Sequence, residues 1–145
     1  MLFRSATDAG ERQAAGCRAA VPTLTAKRET WETLTDGKLT IAMFRATIIG
    51  FVDHDQPALI NPYRPEYFAA LSKVWSEWSS AMAQDFVEYG YQTCAVDEAT
   101  IAATDAFLAA EPAPPAALRR LLSEGRDEVV RALRNQARDR AAASA

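Results

Sequence analysis

Histidine is nearly missing from this chain of 145 residues: His54 is the single one. That excludes a His-Glu-x-x-His zinc motif outright, and a zinc site needs three or four ligands at fixed geometry. Cysteine is almost as scarce. Cys17 and Cys94 lie far apart without paired spacing, so a Cys17, Cys94, His54 site is a remote reading. The two thiols read as small buried hydrophobes in a reducing compartment. Glycine is too sparse for a phosphate-binding loop, and no nucleophile elbow is present. No apolar run approaches the roughly 20 residues of a membrane span. The opening Met1-Leu2-Phe3-Arg4-Ser5 lacks the apolar stretch of a signal peptide. The expected location is the cytoplasm. A net charge of -3 with pI about 5.2 favours neither nucleic acid nor an anionic membrane as partner. No segment alternates apolar and polar residues, and hairpin turn signals are missing, which excludes a β fold.

What is there reads as helix. Apolar residues at 49% and charged residues at 24% suit a folded domain rather than a disordered chain. Asp8 can cap a first, alanine-rich helix over 9–20, whose small side chains allow another helix to approach closely. Val21-Pro22-Thr23 breaks it, because proline cannot continue the hydrogen-bond ladder. Thr23 or Thr25 caps a second helix to about Asp36, with Gly37 as its left-handed stop. Thr40 caps a third through Phe51, with Gly50 and the polar Asp53–Pro57 segment ending it.

Phe68, Leu71, Trp75, Trp78 and Met82 recur at steps of three and four and predict one apolar face on a fourth helix. Pro57, Pro62 and Pro65 predict a short helical turn before it, Ser79-Ser80 a bend or split within it, and Gly90 its end. Asp97 or Thr100 opens a fifth helix to about Ala110. After the rigid Glu111–Pro115 connector a last helix begins near Pro115, with Gly125 as a possible kink. The expected fold is all-α, as stacked antiparallel helix pairs. It forms one helical domain over 7–140, with 1–6 and 141–145 as frayed ends.

Few residues stand out as candidates for chemistry. Asp127-Glu128 sit among arginines and read as a solvated, salt-bridged face. Trp75 and Trp78 read as core packing, with ligand stacking the alternative. Arg45 is less easily placed. At about 100° per residue it shares its helix side with Ile41, Ile48 and Val52. A charge there must snorkel, pair with a carboxylate, or face a cavity. Arg45 is therefore the one substrate-cavity candidate, and both the structural and the cavity reading stand.

Several stretches in order then resemble a known family. Thr7-Asp8-Ala9-Gly10-Glu11-Arg12-Gln13-Ala14-Ala15, Cys17-Arg18-Ala19-Ala20, Lys38-Leu39-Thr40 and Phe44-Arg45-Ala46-Thr47 look like the C-terminal helical domain of actinobacterial aminopeptidase N. So do Pro62-Tyr63, Glu66-Tyr67-Phe68, Val74-Trp75, Met82-Ala83-Gln84 and the run from Leu118 to Asp127 into Arg131-Ala132-Leu133-Arg134. The chain departs from the family after Tyr91, where Gln92-Thr93-Cys94 stands in place of a frequent proline, and in being far shorter. The resemblance implies an armadillo- or HEAT-like superhelix fragment. It also implies a parent zinc metallopeptidase, of gluzincin type, that removes N-terminal residues from peptides. Zinc, its ligands and the glutamate base would belong to an upstream catalytic domain. This chain would enclose the substrate cavity, hold no cofactor and no catalytic or metal residue, and be silent alone. The implied partners are that catalytic domain and the parent's peptide substrate, with self-association through exposed helix faces. The alternative is a stand-alone helical protein-interaction module derived from the same domain.

Overall fold

A computed structural model describes residues 2–145, with side chains from residue 7 onward. The helices run α1 (Leu2–Ala20), α2 (Leu24–Thr35), α3 (Ile41–Phe51), α4 (Pro57–Ile60), a 3-10 turn (Asn61–Tyr63), α5 (Arg64–Glu77), α6 (Ser80–Tyr91), α7 (Glu98–Leu108) and α8 (Ala116–Ala143). No strand occurs among the described residues. None of these helices is long and apolar enough to cross a membrane.

Helix starts follow local chemistry. The Thr23, Thr40 and Asp97 side chains accept from the backbone N–H groups of Ala26, Met43 and Thr100. Ser79 does the same for Met82, and Trp78 before it is extended, so the expected fourth helix is divided into α5 and α6. Gly37 ends α2 with φ +76°, as a left-handed stop should.

Two expectations need correction, the Asp8 cap and the Gly125 kink. Asp8 does not cap α1. The helix already begins at Leu2, because nothing before Asp8 breaks it; the side chains of residues 1–6, expected as a frayed start, lie outside the described residues. The helices expected to end near Gly50 and Gly90 do so, at Phe51 and Tyr91. Each glycine is the next-to-last helical residue and also sits where the fold leaves no room for a side chain. A Cβ on Gly50 would land on the carbonyl of Gly16, and one on Gly90 would strike the ring of Tyr67. Gly125 likewise faces the ring of Tyr91 within an α8 that is unbroken from Ala116 to Ala143.

Around these contacts α1 packs on α2 and α3, α3 reaches α6, α5 packs on α6 and α7, and α6 and α7 pack on α8. The centre is aromatic. Trp31 lies 5.2 Å from Tyr63 and 6.1 Å from Phe86, ring centre to ring centre, and Tyr67 stacks on Phe86 at 5.5 Å. The fully buried Tyr67 donates its hydroxyl to the Val87 carbonyl at 2.7 Å, which satisfies the one polar atom the ring brings inside. On α5 the deepest side chains are Tyr67, Leu71 and Val74; Phe68, Trp75 and Trp78 flank this row and pack against the core, half-buried. Trp78 meets Phe44 and Phe86 edge-on. The packing reading of the two tryptophans therefore holds.

Candidate functional site

Arg45 sits on α3 where that helix meets α6. Its Nε donates to Asp85 Oδ2 at 2.6 Å and its Nη2 to Oδ1 at 3.4 Å. The carboxylate is largely buried, with its side chain 11% exposed, while the guanidinium side chain is 51% exposed. The hydrogen bond and charge of Asp85 raise the Arg45 pKa further above its ordinary value, so the cation is permanent. The structural half of the Arg45 reading is thus visible: the charge escapes the apolar side by snorkelling outward and pairing. Sequence alone did not point to Asp85, because an acid at a buried position of α6 looks like any other helix carboxylate. Two of the guanidinium's five N–H groups are engaged, on a side chain that remains half-exposed.

A second place gathers residues from separate segments. The loop after α3 with α4, the α6–α7 turn and the middle of α8 enclose a cavity of about 400 Å³. Ile60, Tyr91, Cys94 and Val129 form its apolar wall, and His54 and Glu128 belong to its lining too. Burial pushes the Cys94 thiol up to about 12, so it stays protonated near neutrality and is a poor nucleophile. Burial also raises the Tyr91 pKa; its hydroxyl shares a hydrogen bond with Thr104 Oγ1 at 2.8 Å. Cys17, expected as a buried hydrophobe, is instead exposed on α1. The structure brings His54 and Cys94 to one cavity and leaves Cys17 outside it. Neither cysteine is in a disulfide. Among the described residues no three His, Cys, Asp or Glu side chains gather as a metal site. Asp127 and Glu128 are both exposed on α8.

The residue that sequence reasoning missed is Lys27. Its side chain is fully buried, and Nζ donates to the Ala19 carbonyl at 2.8 Å and to the Phe51 carbonyl at 3.2 Å. These carbonyls belong to the C-terminal turns of α1 and α3, where intrahelical donors run out and partial negative charge collects. The ammonium also lies 5.3 Å from the centre of the Phe51 ring. Gln56 adds a bond from Nε2 to the Ala20 carbonyl. Desolvation lowers the Lys27 pKa, partly offset by Asp53. A lysine on an amphipathic helix reads as solvated, and only the convergence of two helix ends shows otherwise.

The family described as ERAP1-like C-terminal domain matches residues 1–131. The chain is also 48% identical over 141 residues to the aminopeptidase N of Streptomyces lividans. That similarity takes in 97% of this chain but 16% of the relative, so the chain spans about one sixth of that protein's length.

Proposed function

Since the chain belongs to the family of ERAP1-like C-terminal domains, we propose that it acts as a helical accessory segment of an aminopeptidase. In this reading it packs on the catalytic portion and helps enclose the space that admits peptide substrates. The observation that carries it is the similarity of nearly the whole chain to a small part of an aminopeptidase N. Its surface supports a docked role. Of the described α1 side chains only Ala15 and Ala19 are buried, and Leu24 and Ile49 are exposed at 74% and 58%. These are apolar side chains that a neighbouring helix pair would cover, as in stacked helical arrays.

The zinc implied for such an enzyme does not fit the described residues of this chain. They offer a single imidazole, two cysteines that lie apart, and no cluster of three ligand side chains. Metal chemistry, and with it bond cleavage, is assigned to the rest of the parent protein. Arg45 is the candidate for the enclosed space. Held by Asp85, it presents its free N–H groups to solvent as donors for a peptide carbonyl or carboxylate.

The test is complementation. The S. lividans enzyme lacking its matching segment is mixed with this chain, with the relative's own segment as control. The expected result is a one-to-one complex with restored release of N-terminal residues. If the relative's segment restores activity and this chain neither binds nor restores it, the stand-alone module takes the place of this reading. In the same assay Arg45→Ala should keep binding and lower turnover of peptides; unchanged turnover would remove Arg45 from the substrate space.

A further inference from the structure

The end of α8 differs from every other helix face. The 28-residue helix extends about 42 Å. Its buried residues, Leu118, Leu122 and Val129, all lie in its first half, and every residue from Arg134 onward is exposed. Along this free half Arg131, Arg134 and Arg138 follow one another at steps of three and four and so share a stripe. None of the three makes an ion pair among the described residues, nor do Arg12, Arg18, Arg119 and Arg140, whereas Arg28, Arg45, Arg64, Arg120 and Arg126 each hold a carboxylate; only on α8 do three such arginines share one stripe. Beside the stripe lies a groove of about 480 Å³ between α7 and α8, lined by the apolar Ile101, Val130, Leu133 and Ala137 and by the charged Glu98, Arg126 and Arg134.

Charge is segregated along the chain as well. Residues 131–145 hold four arginines and one aspartate, while the rest holds twelve basic and eighteen acidic side chains. The family match ends at residue 131. The similarity to the S. lividans protein omits at most four residues of this chain, so it must include at least ten of the fourteen beyond that point. The end of the helix is thus aligned with a relative although it lies beyond the family's matched region.

We infer that the free half of α8 is a docking surface for an acidic helical face on the remaining portion of the parent aminopeptidase, its apolar side chains seated in the α7–α8 groove. The inference rests on the proposed function and names the contact through which the accessory segment is held. An acidic partner satisfies the three unpaired guanidinium groups, and the groove's apolar side chains supply the contact that exposed charges alone lack.

Binding to the segment-deleted S. lividans enzyme tests it, over a series of salt concentrations. The proteins compared are the wild-type chain, the triple variant Arg131→Glu/Arg134→Glu/Arg138→Glu and the matching Arg→Lys triple. Helical circular dichroism should be unchanged, because these side chains are exposed and unpaired. The wild type should bind with an affinity that falls as salt rises. The Glu triple should bind at least about tenfold more weakly with its salt dependence lost, and the Lys triple should stay within about threefold of wild type. Equal, salt-independent binding by wild type and Glu triple would overturn the inference while leaving the accessory role intact. Failure of the wild type to bind, where the relative's own segment does, would overturn the accessory role itself. Salt-dependent self-association of the chain, abolished in the Glu triple without any binding to the enzyme, would make a second copy the occupant and overturn the inference.

Discussion

Where α1 meets α3, backbone lies against backbone. A Cβ on Gly16 would come within 3.2 Å of the Ala46 carbonyl, one on Gly50 would overlap Gly16, and Lys27 ties the two helix ends together. Where α5 meets α6 the contact is made by rings, with Tyr67 stacked on Phe86 and Trp78 edge-on to it. The aromatic seam gains stability from the area its rings remove from water. The small-residue seam has little such area, since Ala15 and Ala19 are the buried ones among the described α1 side chains. It depends on close approach and on satisfying helix-end carbonyls. One seam should suffer from what is removed, the other from what is added.

The largest effect is expected from Phe86→Ala. Phe86 is fully buried and touches rings from α2, α3 and α5 as well as Trp78. Its truncation should cost about 3–5 kcal/mol in urea unfolding. A cost near 1 kcal/mol would mean that the seam collapses around the void and is no keystone.

Gly50→Ala comes next and inverts the logic. An added methyl must displace backbone, which cannot swing aside, and the cost should be at the upper end of overpacking, about 3 kcal/mol. Hydrogen exchange should show α1 losing protection before α5 and α6. Gly10→Ala is the internal control: it lies in α1 with nothing within 4 Å of the new Cβ, and should stabilise by up to about 1 kcal/mol. Should both changes act alike, close packing is not what limits this seam.

Lys27→Met is expected to be smaller, about 2 kcal/mol, because two carbonyls lose a donor while a costly buried charge is also removed. The pH dependence separates these terms. The folded-state pKa of Lys27 lies below its ordinary 10.5, so the unfolded chain binds the proton more tightly. The charged form weighs on the fold below the lowered pKa, and stability recovers as pH rises from there towards 10.5. That alkaline rise should be present in wild type and absent in Lys27→Met. A rise of equal size in both would assign it to another group.

Much of this architecture is legible from local chemistry. Thr23, Thr40 and Asp97 announce helix starts because a short polar side chain satisfies an N–H within its own first turn. Gly37 announces a stop because its backbone conformation is open to glycine. The break at Ser79 and the short turn around Pro57 and Pro62 are local in the same sense. Asp8 misled for the complementary reason: a good cap is only a preference, and a sequence without a breaker before it lets the helix begin earlier. Of the candidate site, sequence marked Arg45 as a charge out of place but could not supply Asp85, forty residues away.

The sequence by itself determined that this chain is helical, where most of its helices begin, and which family it resembles, because those depend on neighbours in the chain or on stretches read in order. Only the tertiary structure decided that Gly50 and Gly90 are close contact points as well as helix ends, that Lys27 is a buried clamp rather than a surface charge, and that the end of α8 stands free. Each depends on which helices come to lie side by side. The same glycine or lysine is harmless on an open face and decisive where two backbones or two carbonyl-rich ends converge.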